Sequence, residues 1–546
     1  MGLEGWQAVF GKLADQALVF ADARGFAEMA LPGDAPGGLL RYLARLLMVT
    51  GRSFWGSLLY FALGGLLVWI LQKWLRTIVR RRDVALVVSC ALVGGVLVLP
   101  VMAVAEDVWS QTESAFPMMN VLGLLFAAAF VAAARPLIRF AWGVPTMAVC
   151  ACALFVPFGG YALLAGAVLA CRALFGAAGD FWRRLWAGAM LTLLAVAVPL
   201  VGRLVYADLN PRRALAASFG LPTSGRWPRG VMLEQLAVER RAFREDWSGI
   251  RAAAAASESY PLRMTIAYRI LASFKAGQVL EELFQSPIRT SHRDTSALET
   301  LMDGHQLLFE YGCLLPARKE IMEQVARWGW RPGSLRYLGD IAFLRGELML
   351  AYRFYSQLKR VPGWREWAAR RLAALEKGDR LPDDLVPVAQ LAVEWRRVSR
   401  DWSDPFFLID ATKVEDFIYE RFRGLSRTTP EMARMYLAAK LLTGDTAAFA
   451  AEKAMLAALY PPPKAWPVAV QEAFATEALR REEPARAAFL AGLPQGALQA
   501  ENIRRAQDFA ARRARLGSKP SVSDAEELGS RFGTSYMYYE FWALGK

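Results

Sequence analysis

Residues 335–362 read LRYLGDIAFLRGELMLAYRFYSQLKRVP. Apolar residues recur every three or four positions on both sides of Gly346. That pattern predicts two amphipathic helices with a turn between them. Gly339 and Ala351 are small enough to let the two helices approach closely. Gly346 supplies the turn, and Pro362 stops the second helix. Leu335, Leu338, Gly339, Gly346, Ala351, Tyr355 and Pro362 fall close to the tetratricopeptide spacing, a helical hairpin of about 34 residues.

The pattern extends upstream in phase. Gly312 precedes Gly346 by 34 residues, Ala317 precedes Ala351 by 34, and Pro332 closes that unit's second helix. Gly277 precedes Gly312 by 35. Turns in register over two intervals predict an array of helical repeats rather than isolated hairpins. Downstream the register breaks, but residues 436–463, YLAAKLLTGDTAAFAAEKAMLAALYPPP, repeat the plan with Gly444 as the turn and Pro461 as the stop. WREWAARRLAALEKG (364–378) and VEDFIYERFRG (414–424) read as non-consensus helices between them. We expect about five to seven hairpins over residues 232–515, curved into a superhelix. No alternating strand run is visible.

The rest of the chain is different in composition. At 546 residues it exceeds one ordinary core, so two or more domains are expected. The apolar fraction is 55% and the mean hydropathy +0.22, and the excess sits between about residues 53 and 206. A bilayer-spanning helix needs roughly 20 mostly apolar residues. On that basis residues 53–206 read as a six-span bundle: from Ser53, from Val84 to Val104, from Pro117 to Ala134, a tight hairpin over 141–157 and 161–177, and from Leu185 to Val205. Lys and Arg cluster after the first, third and fifth spans, at 73–82, 135–139 and 172–184, and not after the second and fourth. The positive-inside rule then puts residues 1–52 and everything after 206 outside the cytoplasm. No signal peptide precedes the N-terminus, so a missing upstream span is expected. Residues 1–52 read as an amphipathic outer-face segment, 207–231 as a linker and 516–546 as a tail. The fold class expected is all-α, a polytopic transmembrane bundle followed by a soluble tetratricopeptide-like α-solenoid. The placement expected is the bacterial inner membrane, multi-pass, with the C-terminal domain periplasmic.

The spans, the phrase PGGLLRYLARLL (36–47), the divergent array and the ending FGTSYMYY (532–539) together resemble a family of uncharacterised bacterial membrane proteins, mostly of the Bacteroidetes. The resemblance covers nearly the whole chain and carries no known activity. Members of that family begin with a further N-terminal span.

The chemistry is sparse. The net charge is +14, but much of the Arg flanks the apolar runs, so no nucleic-acid partner is expected. The five cysteines have neither disulfide nor zinc spacing, and His292 and His305 form no triad; no metal and no cofactor are expected. Gly64-Gly65, Gly94-Gly95 and Gly159-Gly160 suit close helix packing, not phosphate binding. Two function classes follow. The leading one is an inner-membrane-anchored scaffold, in contact with the lipid bilayer, whose array binds a protein partner through its groove in an envelope or export process. Trp328 and Trp330 are its anchor candidates. The alternative is an integral-membrane glycosyltransferase using a lipid-linked donor, with a base or metal ligand among Asp22, Asp34, Glu106 and Asp107. Tyr536 and Tyr538 in the aromatic tail are binding candidates if the tail lines a groove. We expect the tail instead to fold back as a plug, with Tyr536 and Tyr539 buried.

Overall fold

The computed structural model describes residues 20, 38–50, 54–75, 88–89, 116–134, 136–137, 140, 142–175, 181–182, 184–190, 192, 230–256, 263–285, 297–378, 381–398, 414–425, 427, 429–516 and 522–545. Among them every regular element is a helix and none is a strand. The chain divides into two compact units, residues 1–229 with 328–380, and residues 230–327 with 381–546.

In the first unit, α1 (Gly38–Thr50), α2 (Phe54–Leu75), α3 (Phe116–Ala134), α4 (Gly143–Phe158) and α5 (Gly160–Phe175) pack against one another. The expected hairpin over 141–177 forms: Gly159, at φ 63°, joins α4 to α5, and Pro157 sits one residue from the end of α4. Small side chains dominate its core, with Ala134, Ala151, Ala170 and Ala187 packed around Phe155 and Leu169. Gly123 lets α3 meet α5 closely, because a Cβ there would strike the Tyr161 ring. The Tyr161 hydroxyl donates to Asn120 across the same contact.

The transmembrane bundle expected over 53–206 is not what the helices build. Among the described residues no helix is long and apolar enough to cross a membrane. The helices α4 and α5 hold 16 residues each, about 24 Å of rise against a hydrocarbon core of about 30 Å. Phe155 on α4 and Leu169 on α5 are buried between helices, although Val149 and Leu164 on the same pair stay exposed, as do Leu58, Leu66 and Trp69 on α2. The expected second span and most of the sixth lie outside the described residues. The multi-pass inner-membrane placement falls with the spans. So does the periplasmic assignment, which rested on counting them. Gly65 is no packing site either, since nothing lies within 4 Å of a Cβ built there.

The same unit contains the hairpin that opened the sequence reading. Numbering on along the chain, the second unit supplies α6 (Gly230–Phe243), α7 (Trp247–Ala256), α8 (Arg263–Lys275), α9 (Ala297–Glu310) and α10 (Leu314–Trp328). The first unit then supplies α11 (Pro332–Leu344), α12 (Leu348–Lys359) and α13 (Arg365–Lys377). Pro332 does not close α10 as expected. It starts α11, where a missing N–H costs nothing.

All four glycines read as turns adopt the left-handed conformation: Gly277 (φ 68°), Gly312 (80°), Gly346 (77°) and Gly444 (66°). Each closes its helix with the same pair of hydrogen bonds. At Gly346 these are Gly346 N–H to Phe343 O (3.0 Å) and Glu347 N–H to Ala342 O (2.8 Å). The pairs at Gly277, Gly312 and Gly444 are Gly277 to Phe274 with Gln278 to Ser273, Gly312 to Phe309 with Cys313 to Leu308, and Gly444 to Leu441 with Asp445 to Lys440. This is the Schellman arrangement, which satisfies the last carbonyls of a helix and needs a positive φ. A fifth copy, unseen in the sequence, links α6 to α7. There Glu245 takes φ 61°, its N–H reaches Ala242 O, and Asp246 N–H reaches Arg241 O.

The second unit continues with α14 (Val386–Val398), α15 (Val414–Phe422), α16 (Pro430–Leu442), α17 (Thr446–Ala450), α18 (Val468–Leu479), α19 (Ala500–Arg513) and α20 (Val522–Phe532), with shorter helices over Lys453–Leu459 and Glu483–Ala491 between them. Gly312 is doubly constrained, because a Cβ there would lie 2.8 Å from the backbone N of Ala392. The tail packs within the second unit. Tyr536 and Tyr538 are buried, Tyr539 is half-buried, and the hydroxyl of Tyr539 donates to Leu442 O (2.8 Å). Phe509, Phe532 and Met537 form the core beneath it.

Candidate functional site

The periodicity that makes α12 a helix also gives it two faces. Ala351, Tyr355 and Leu358 face inward and are buried. On the other side Leu348 and Tyr352, one turn apart, are 52% and 48% exposed, and Met349 is 72% exposed. Trp330, just before α11, is 44% exposed, and its ring centroid lies 6.1 Å from that of Phe354 on α12. Large, adaptable and aromatic side chains of this kind are the ones that anchor protein interfaces. They stand on a rigid base.

That base is a buried polar cluster. Asp340 on α11 is fully buried, and its Oδ1 accepts from the Tyr355 hydroxyl (2.6 Å) and from Arg371 Nε on α13 (3.0 Å). Arg336 approaches the other oxygen at 3.9 Å. The guanidinium groups of Arg371 and Arg336 also lie over the Trp367 ring, at 4.8 and 5.6 Å from its centroid. One carboxylate therefore ties three consecutive helices together. Gly339 makes room for the Tyr355 ring, which a Cβ would strike.

The tail carries a second cluster, in the other unit. Glu540 Oε1 accepts from Thr446 (2.8 Å) and from Tyr536 (3.2 Å), and Oε2 accepts from Arg480 (2.6 Å). Glu472 accepts from the Tyr536 N–H (2.8 Å) and pairs with Arg505 (2.9 Å). Burial pushes the Glu472 carboxyl up to about 7, although the Tyr536 N–H and Arg505 pull the other way. Burial raises Glu415 to about 7 as well, against the opposing charge of Arg263. Glu320 on α10 is raised to about 7 by burial first and then by the charge of Glu323.

The chain belongs to a family of unknown function, DUF6057. The family match runs over residues 33–543. No curated protein and no solved structure matches the chain. Membership therefore supports the expectation of an uncharacterised family and brings no activity with it.

The residues singled out in the sequence fare unevenly. Trp330 lies on the exposed stripe. Trp328 ends α10, and its side chain lies outside the described residues. Tyr536 and Tyr538 are core residues, not a groove lining. Asp22, Asp34, Glu106 and Asp107 lie outside the described residues, as do His292 and Gly94-Gly95. His305 is buried on α9, with its Nδ1 2.7 Å from Gln324 Nε2. Among the described residues no group of three or more His, Cys, Asp or Glu could hold a metal ion. Leu348, Met349 and Tyr352 were not singled out, yet the signal was present. They are exposed apolar residues of α12 that fall off the stripe of Ala351, Tyr355 and Leu358.

Proposed function

We propose that the chain is a helical-hairpin scaffold of the tetratricopeptide kind, which binds an apolar segment of another protein through Trp330, Leu348, Met349 and Tyr352. The observation that carries this reading is the exposed stripe on α12 over a fully desolvated Asp340 cluster. A rigid base lowers the entropy lost when side chains on it are immobilised by a partner. The 34-residue register of Gly312 and Gly346, with the same closing hydrogen bonds at each, supports the repeat reading.

The test places a photo-crosslinking amino acid at Met349 or Tyr352, with Arg370 on α13 as the exposed control. The two stripe positions should capture the same protein, and the control should not. With that protein purified, Met349→Glu should weaken binding about tenfold or more, since it sets an uncompensated charge into an apolar contact. Unchanged affinity would remove the stripe from the interface.

A further inference from the structure

A cavity of about 450 Å³ lies under the C-terminal tail, between α18 and α19, within the volume range of small-molecule sites. Its wall is aromatic and adaptable. Phe509 and Phe541 stand edge to face, with ring centroids 6.1 Å apart, and Leu479 and Met537 line the space beside them. Phe509 and Met537 are buried, whereas Ala510 and Ala514 in the same lining are exposed and mark the mouth. The interior is reached from solvent past these two small side chains.

The described polar side chains of the lining are Thr476, Arg480, Arg513 and Glu540, and each already has a partner within the protein. Thr476 donates its hydroxyl to Glu472 O (2.8 Å). Arg480 donates to Glu540 Oε2 (2.6 Å), while Glu540 Oε1 accepts from Thr446 (2.8 Å) and Tyr536 (3.2 Å). The Arg513 guanidinium lies over the Phe541 ring, 5.2 Å from its centroid. A charged ligand would give up its hydration here and meet groups that are already matched, which is costly. An uncharged aromatic body gives up far less. It gains edge-to-face contact with the two phenyl rings and a sulfur–ring contact with Met537. We propose that this cavity binds an uncharged aromatic small molecule, seated on Phe509, Met537 and Phe541. The site is independent of the α12 stripe.

The experiment titrates the full chain with N-phenyl-1-naphthylamine, an uncharged probe that fluoresces in apolar surroundings. One saturable site is expected. At neutral pH the uncharged 2-naphthol should displace the probe, and the anionic 2-naphthoate should do so about tenfold more weakly. Ala510→Trp and Ala514→Trp fill the mouth from exposed positions, and each should weaken probe binding about tenfold or more. Ala511→Trp, exposed on the same helix but outside the lining, should leave binding unchanged. That control carries the same added ring, so a loss confined to the two mouth variants localises the probe to the cavity. Absence of saturable binding, equal displacement by naphthoate, full affinity in both mouth variants, or an equal loss in Ala511→Trp would each overturn the proposal.

Discussion

Tyr355 and Tyr536 each place a buried hydroxyl on a carboxylate that an arginine also holds, but the two clusters are assembled differently. Tyr355, Asp340 and Arg371 come from three successive helices, at separations of 15 and 31 residues. Glu540 reaches Arg480 across 60 residues and Thr446 across 94. The first cluster joins neighbouring helices, whereas the second joins groups far apart along the chain, and longer loops cost more entropy to close. Solvent separates them further. The Arg371 and Asp340 side chains are 6% and 0% exposed, whereas Arg480 is 43% exposed. The first cluster should therefore be the more damaging one to break.

Asp340→Ala gives the largest effect. It takes away the carboxylate that Arg371, Arg336 and the Tyr355 hydroxyl share in the interior. Removing one partner of a buried pair costs about 3–5 kcal/mol. Urea unfolding of the variant should show that loss with an unchanged denaturant slope. A loss of under about 1 kcal/mol would mean that the two clusters are equivalent despite their difference in burial.

Glu320 sharpens the comparison, since it is a buried carboxylate without such a cluster. Among the described residues neither of its oxygens has a hydrogen-bond partner. Its folded value of about 7 lies above the ordinary 4.5, so the native state holds this proton more tightly than the unfolded chain does. Stability from this group is thus greatest below about pH 4.5, falls as pH rises from 4.5 towards 7, and is flat above that. Glu320→Gln removes the term. Relative to wild type, the variant should gain on the order of 2 kcal/mol between pH 5 and pH 8. A difference that does not change with pH would show that Glu320 is ionised inside the fold.

Tyr536→Phe should cost less, about 1 kcal/mol, because it removes one hydroxyl shared between Thr446 and Glu540 and leaves Glu540 paired with Arg480. Thermal melts would read it as a drop of a few degrees.

These clusters also mark the limit of what the sequence discloses. Gly277, Gly312, Gly346 and Gly444 were legible because a turn with positive φ demands that residue, wherever the chain goes next. The burial of the tail was legible from its rings. Its partners Thr446, Glu472 and Arg480 were not, because nothing local in residues 531–546 encodes a contact 60 to 94 residues away. The apolar runs between 53 and 206 were misread for a related reason. Apolar composition alone does not separate a helix buried against other helices, as α4 is against α5, from one that faces lipid. Among the candidate-site residues, Trp330 stood out by its ring, while Leu348, Met349 and Tyr352 were hidden in the periodicity that marks the core.

Glu245 was missed because it is not glycine, and it supplies the smallest prediction. Its φ of 61° and its two closing hydrogen bonds, both 2.9 Å, match those of the glycine turns. A left-handed non-glycine residue costs roughly 1–2 kcal/mol in the fold. Glycine would remove that strain but would also gain freedom in the unfolded chain, which offsets part of the benefit. Glu245→Gly should therefore stabilise by about 0.5–1 kcal/mol. Gly346 is the control for the reverse exchange: nothing lies within 4 Å of a Cβ built there, so Gly346→Glu meets only the backbone penalty. The two substitutions should shift the urea midpoint by similar amounts in opposite directions. A shift of the same sign in both would show that the turns at 245 and 346 share hydrogen bonds but not energetics, and that the side chain of Glu245 contributes something a glycine cannot replace.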